Sequence, residues 1–455
     1  MNHKKDDNIV RGAAIVSVGT FISKLLGAIY RVPLTNLIGA FGLGLYQTVF
    51  PVYALLLDFA GAGVPSALSK LISSSSEEQK SLRAREYLNS SIRLLTVFGI
   101  FFSVFLIVSG KFIATLQGNS DAYFAYIALA PSVFLVSVIS CFRGYFQGLM
   151  NMMPTAISQI TEQTVKLFFG LLLSYIFMPN IPLAVAGTTF AITLSELFAL
   201  VYLALKYKKS KNIDGLKYNF EKVRFKSHAK TILKTVVPIT LIGIAIPFSQ
   251  VIDSFLTVNI LSTYRTDATV LYGLLTGVAA TVVNLPVSIC YGVATVAIPA
   301  VASGKKEKDK NARAKKTVAL TLIIALPCAL ILFIFAPLVI RILFGSLSGM
   351  EKSVAINLLH ITAPNVIFLS LLQTCNAVLI GKGKLYTPLI SMSIGITVKT
   401  VLNIILLKIP ELNVYGGAIA LIACYFFTCL INLILIFKPK VKNESKRACR
   451  RQYAS

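Results

Sequence analysis

Among the ionisable side chains inside long apolar runs of this sequence, eight are candidates for chemistry: Lys24, Arg31, Asp58, Glu162, Lys166, Glu196, Asp253 and Lys399. A charge near the middle of a bilayer costs at least about 2.5–3.5 kcal/mol, so such groups are expected to face a wet cavity or a partner. Lys24 and Arg31 are seven residues apart, close to two helical turns, and therefore project from one face. A planar guanidinium fork beside an ammonium point charge suits a phosphate or pyrophosphate group. The structural alternative is snorkelling toward the lipid headgroups, which Pro33 near the helix end would favour for Arg31. Glu162 lies one turn before Lys166, a spacing that makes either an i,i+4 ion-pair clamp or a pair of polar groups on a transport path. Asp253, six residues after Pro247, could take a coupling cation, Na⁺ or a proton, or pair with a lysine or arginine of its own half. Glu196 and Asp58 are weaker candidates for the same role, and Arg143, beside Gly144 at a helix end, reads as an interface anchor.

The elements that must position these groups are membrane helices. Of 455 residues, 56% are hydrophobic and 14% charged, with a mean hydropathy of +0.76, which excludes an ordinary soluble domain. Apolar runs punctuated by charge, Gly and Pro place helices over about 9–34, 43–72, 88–116, 121–146, 154–178 and 182–206, and again over 231–262, 268–302, 317–344, 353–380, 385–408 and 413–437. Four regions follow: a six-helix lobe (1–206), a basic linker (207–230), a second six-helix lobe (231–437) and a basic tail (438–455). The first run carries Arg11, Lys24 and Arg31 and lacks a small-residue cleavage site, so it is expected to stay as a helix rather than serve as a signal peptide. Gly27, Gly61, Gly63, Pro65, Pro247, Pro286, Pro299 and Pro337 within the runs are expected to let the first, second, seventh and eighth helices bend.

The charge is sorted by side. Segment 206–234 holds ten Lys/Arg against Asp214 and Glu221, segment 305–316 holds seven against Glu307 and Asp309, and the tail holds seven against Glu444. The intervening connections are nearly neutral, so the positive-inside rule puts the basic side and both termini in the cytoplasm of a bacterial inner membrane. The net charge of +26 therefore reads as a topology and anionic-lipid signal rather than a nucleic-acid surface. Seven scattered cysteines form no CxxC pair or metal cluster, and there is no GxxxxGK[ST] loop, no HExxH and no Ser/His/Asp set. No resident cofactor and no enzymatic activity are expected. A membrane-embedded glycosyl- or acyltransferase would need a catalytic His or an acidic pair on a long loop, which the sequence does not offer.

One interval recurs. Ala130-Pro131 returns as Ala363-Pro364, Gly148 as Gly381 and Val165-Lys166 as Val398-Lys399, always 233 residues on, with Pro154 and Pro388 one residue out of register. Pro is placed there to open a helix, where its missing N–H costs nothing. Six helices per copy is an even number, so both copies enter the membrane from one side and are related by an axis along the membrane normal, with a central cavity between the lobes.

The stretch Arg143-Gly-Tyr-Phe-Gln-Gly-Leu-Met-Asn-Met-Met-Pro154, continuing to Glu162 and Lys166, resembles the polysaccharide-transporter family that holds stage V sporulation protein B and the MurJ-type lipid II flippases. Ser23-Lys24 through Pro33, Gly39 through Gln47, Gly63 through Lys70 and, more weakly, Leu271 through Pro286 extend the likeness over most of the chain. The resemblance implies the two-lobe fold of the multidrug/oligosaccharidyl-lipid/polysaccharide exporter superfamily, with first-lobe cations receiving a lipid pyrophosphate. Lys24 matches a basic family position and Arg31 does so after a one-residue shift, whereas Leu57, Thr281 and Phe41 stand where the MurJ type often has Arg, Arg and an acid. The expected function is a flippase, acting as a monomer among membrane lipids. It would carry a polyprenyl-pyrophosphate-linked saccharide, a lipid II-like peptidoglycan precursor or a polysaccharide repeat unit, outward in cell-wall biogenesis or sporulation. The rival within the superfamily is a Na⁺- or H⁺-coupled multidrug exporter, for which Asp58, Asp253 and Glu196 would be the working acids.

Overall fold

The computed structural model describes residues 2–75, 79–213, 225–302, 307–384 and 386–437, and among these the chain is all helix with no strand. The first half holds α1 (Asn2–Leu57), α2 (Val64–Ser73), α3 (Lys80–Leu116), α4 (Tyr123–Gly148), α5 (Met153–Phe177) and α6 (Ile181–Ile213). The second holds α7 (Phe225–Gly243), α8 (Ala245–Ser262), α9 (Ala268–Gly273), α10 (Ala280–Ala302), α11 (Glu307–Ile334), α12 (Ala336–Leu343), α13 (Gly349–Thr362), α14 (Asn365–Gly381), α15 (Thr387–Leu406) and α16 (Asn413–Phe437). The basic tail 438–455 and much of the linker, 214–224, lie outside the described residues.

Ten helices are long and apolar enough to cross a membrane, and the pair α13 and α14, bent by 45°, adds an eleventh crossing. One of the ten, Leu25–Ser73, has 49 residues and would be roughly 73 Å long if straight, more than twice the hydrocarbon thickness. It doubles back at Gly39, whose φ of 69° and ψ of −179° suit glycine far better than a residue with a Cβ. Arg31 before the turn and Phe50 after it accordingly line the same cavity beside Asn284. Large apolar side chains such as Val97, Phe101, Val108, Phe168, Ile323 and Ile342 remain outward-facing, as a lipid-solvated surface requires.

The breaks within spans have identifiable causes. Pro247 cannot donate to the carbonyl four residues back, and α7 gives way to α8 at Ile244; Pro337 and Pro364 sit at the corresponding breaks before α12 and α14. Two further spans are interrupted by π-helical turns, at Asp58–Ala62, where Gly61 leaves helical geometry and Pro65 opens α2 just beyond, and at Leu274–Ala279. The 233-residue interval reappears as geometry: α4 ends at Gly148 and α14 at Gly381, followed by the positive-φ residues Met150 (61°) and Gly383 (80°) and by helices opening on Pro154 and Pro388.

The two halves are tied at one end of the bundle. Gly44 of α1 lies against α9 so closely that a Cβ there would stand 2.1 Å from the Thr269 carbonyl oxygen, and a Cβ on Gly273 would meet the Gly44 backbone at 2.6 Å. Around this contact, Gln117 donates to Ser254 Oγ (2.9 Å) and to the Thr48 carbonyl (3.1 Å), Asn119 donates to Thr48 Oγ1 (3.0 Å), and Thr269 donates to Asn119. Asn259 reaches the Leu116 carbonyl (2.8 Å), and Asn36 reaches that of Leu343 (2.8 Å). At the same end the connection to α9 carries Arg265 and Asp267 as a two-pronged pair (2.8 and 2.7 Å), which leaves it without net charge. The opposite end carries the described parts of the basic connections, where Lys382 and Lys384 bond the last carbonyls of α16.

Candidate functional site

A central cavity runs between the halves in two connected parts. The part nearer the tied end, about 210 Å³, has Arg31, Gln47 and Phe50 on one wall and Asp253, Tyr272, Asn284, Lys399 and Asn403 on the other. The part toward the basic end is larger, about 440 Å³, and is lined by Ser23, Gly27, Arg31, Arg143, Glu162 and Lys166 opposite Asn284, Tyr291 and Gln373.

On the first-half wall the positioning starts with α1, whose face bearing Ser23, Gly27 and Arg31 looks into the cavity. Arg31 Nη1 donates to Thr281 Oγ1 across the halves (3.2 Å) and makes no ion pair among the described residues. Lys24 belongs to α1, but its side chain lies outside the described residues. Glu162 does not clamp Lys166. Its carboxylate takes Arg143 Nη2 at 2.9 Å, because α5 packs back against α4 after the short turn and brings position 143 level with 158 and 162. Ser158 Oγ accepts from Arg143 Nε (3.0 Å), so the guanidinium is held at two points and stands on the cavity wall rather than at the membrane interface. Lys166, one turn on, makes no ion pair among the described residues; its ammonium lies over the rings of Tyr30 (5.6 Å) and Phe50 (5.9 Å). Glu196 of α6 sits behind this wall, 4% exposed, facing the Glu162 carboxyl.

The second-half wall is arranged differently. Lys399, the counterpart of Lys166 in the repeat, is buried and donates to Asp253 Oδ2 (2.5 Å) and to Ser249 Oγ, while Asn403 donates to Asp253 Oδ1 (3.0 Å). Of the two readings left open for Asp253, the geometry is that of pairing with a lysine of its own half. Asp58 does not line either part of the cavity; it starts the π turn of its span, with Gly243 at the α7 break opposite it.

Sequence reasoning did not single out Gln47, Gln159, Gln163, Asn284, Tyr291 and Gln373 as lining residues. The signal for part of them was present. Gln159, Glu162, Gln163 and Lys166 make one polar stripe at 3- and 4-residue spacing on an otherwise apolar helix. The described residues contain no cluster of His, Cys, Asp and Glu that could hold a metal ion.

A bundle of ten or more candidate membrane spans, with charged groups converging on a cavity between two halves, has the architecture of a transporter. The family model for polysaccharide biosynthesis proteins matches residues 9–305, and the chain belongs to that family; a second model, MatE, matches residues 238–405. Among curated relatives, stage V sporulation protein B of Bacillus subtilis (strain 168) is 28% identical over 94% of this chain and 83% of its own length. Lipid II flippase MurJ of the same organism is 27% identical over 94% and 82%. Among solved structures, lipid II flippase MurJ in an inward closed conformation aligns with a TM-score of 0.74 at 18% identity, covering 93% of this chain and 87% of that one. An inward-facing multidrug resistance MATE family transporter of the MOP superfamily aligns at 0.72 and 14%, covering 91% and 93%. The fold is therefore that of the MOP superfamily, and the chain is a multi-pass membrane transporter of that superfamily rather than an enzyme.

Proposed function

We propose that this transporter flips a polyprenyl-pyrophosphate-linked saccharide from the cytoplasmic to the outer leaflet of a bacterial inner membrane by alternating access. In this reading residues 1–206 and 231–437 are the two moving lobes, the basic linker, tail and both termini are cytoplasmic, and one chain suffices. The observation that carries it is the charge on the first-half wall: Arg31, Arg143 and Lys166 all line the cavity, and among the described residues only Arg143 is tied to a carboxylate. Such a wall suits an anionic headgroup, for which Arg31 and Lys24 are the proposed donors. The size agrees, since a few hundred Å³ accommodates a headgroup and its first sugar but not the polyprenyl chain, which would stay in the lipid between the lobes. MurJ and stage V sporulation protein B among the relatives support the same substrate class. Rocking would break the contacts around Gly44, Gln117 and Asn119 and open the cavity to the other side. A membrane potential of 100 mV supplies about 2.3 kcal/mol per charge moved, enough to bias one step of that cycle.

The rival, a cation-coupled multidrug exporter, draws on the likeness to the MATE transporter and would work through Asp58, Asp253 or Glu196, of which Asp58 and Glu196 line neither part of the cavity. Asp253 is instead occupied by Lys399 and Asn403, which favours the flippase. The test is translocation of a labelled lipid-linked saccharide by vesicles containing Lys24→Ala plus Arg31→Ala. Loss of two charge-assisted contacts at about 1.5–3 kcal/mol each predicts a fall of at least about 100-fold. Translocation at the wild-type rate would remove the headgroup role from these residues.

A further inference from the structure

The part of the cavity nearer the tied end carries groups that holding a phosphate does not use. Besides Arg31, the charged groups among the described residues lining it are Asp253 and Lys399, which are paired at 2.5 Å and cancel. The rest is uncharged, with the amides of Asn284 and Asn403 beside the rings of Phe50, Tyr272 and Tyr425. Asn403 is 3% exposed; its Nδ2 donates to Asp253 Oδ1 at 3.0 Å, and its Oδ1 has no hydrogen-bond partner among the described residues. A carboxylate only accepts, so the amide atom turned to Asp253 must be the nitrogen and the unpartnered one the carbonyl. That carbonyl lies toward Gly417 of α16, another lining residue, which has no side chain to cover it: a Cβ there would stand 3.9 Å away. Asn284 takes Ser288 Oγ on its backbone carbonyl (2.8 Å), but its side chain makes no hydrogen bond among the described residues. Flat rings beside amides with bonding capacity to spare suit a sugar, whose C–H faces rest on rings and whose hydroxyls meet amides.

We propose that this part of the cavity is a subsite for the first sugar of the substrate, a neutral pyranose that donates a hydroxyl or acetamido N–H to Asn403 Oδ1 and is bonded by Asn284 where the two parts of the cavity meet. The size fits one ring, since about 210 Å³ falls below the roughly 300–1,000 Å³ of sites for drug-sized ligands. A uronic acid or an amino sugar would set an unmatched charge beside the Asp253–Lys399 pair, so an uncharged ring is favoured. Arg31, Phe50 and Asn284 line both parts, and a pyrophosphate held at Arg31 therefore has its attached sugar within reach of the smaller one. The headgroup then lies with its sugar toward the tied end and its phosphates on the cationic wall. The assignment rests on the headgroup reading given above and adds a division of labour to it: the first half holds the charge and the second half selects the sugar.

Calorimetric binding of two lipids to the purified protein in detergent tests it: farnesyl pyrophosphate, and the same lipid carrying N-acetylglucosamine on its pyrophosphate. Wild type should bind the sugar-bearing lipid about tenfold more tightly, the value of one or two recovered hydrogen bonds. Asn403→Ala and Asn284→Ala should each lose most of that gain while binding farnesyl pyrophosphate within about twofold of wild type. Asn284→Ala removes no side-chain hydrogen bond among the described residues, so it keeps the test informative should Asn403→Ala unfold. Arg31→Ala should weaken both lipids by one common factor. Equal affinity of wild type for the two lipids would overturn the subsite and leave the headgroup reading standing, as would a sugar gain that both asparagine variants retain. An Arg31→Ala protein that binds both lipids normally, beside asparagine variants that lose the gain, would remove Arg31 from the headgroup role and sustain the subsite. Binding of neither lipid by folded wild type would overturn both.

Discussion

Asp253→Ala is expected to destabilise the protein by about 3–5 kcal/mol, the range for stranding one member of a buried ion pair. Lys399 makes the effect large. Its side chain is 5% exposed, and its ammonium is held by Asp253 at 2.5 Å and by Ser249, so removal of the carboxylate leaves a charge in the bundle with only a hydroxyl and an amide near it. Asn403 loses an acceptor at the same time. Replacing both members, Asp253→Leu with Lys399→Met, removes the charges together and should recover most of the loss, since a buried pair exchanged for apolar groups of similar volume is close to neutral. Thermal unfolding of the three proteins in detergent decides it. A double variant as unstable as Asp253→Ala would show that the pair matters through packing rather than charge.

The second large effect separates the two lysines of the repeat. Lys166→Met should lower translocation by about one to two orders of magnitude, the value of one charge-assisted contact to phosphate at about 1.5–3 kcal/mol, and should change thermal stability little. Lys399→Met should behave in the opposite sense on stability, because it leaves Asp253 buried and unpaired. The reason lies in their surroundings. Lys166 rests over Tyr30 and Phe50 with no ion pair among the described residues, and so is held ready for an anion, whereas Lys399 has already met one. Paired measurements of unfolding temperature and initial translocation rate check the contrast. Equal destabilisation by the two substitutions would mean that Lys166 is a structural residue like its counterpart.

These residues also mark what was legible in the sequence. Lys166 and Lys399 were found as equivalents because the repeat keeps one interval over Pro131, Gly148 and their counterparts, and interval is a property of sequence. The spans were legible for the same reason, since a run of apolar residues long enough to cross hydrocarbon needs no knowledge of its neighbours. Proline marked the breaks at Ile244, Phe335 and the bend before Asn365, and Gly61, Gly63 and Pro65 marked that of the second span, but the π turn at Leu274–Ala279 has no comparable local signal. Partners across helices were not legible. Spacing within α5 suggested Glu162 with Lys166, yet the packing of α4 on α5 gives Glu162 to Arg143, a residue whose position next to Gly144 pointed to the membrane interface. The tie at Gly44 was hidden in the same way: a glycine's need for close approach depends on Thr269, 225 residues away.

The most direct test of the central claim is translocation of fluorescent lipid II, beside a short undecaprenyl-pyrophosphate-linked glycan, in vesicles containing the purified protein and an imposed ion gradient. The account predicts that at least one of them moves between leaflets and that Lys166→Met slows it by about ten- to a hundred-fold. Movement of neither, by intact protein that exports a small organic cation under the same gradient, would contradict it and assign the chain to small-molecule export.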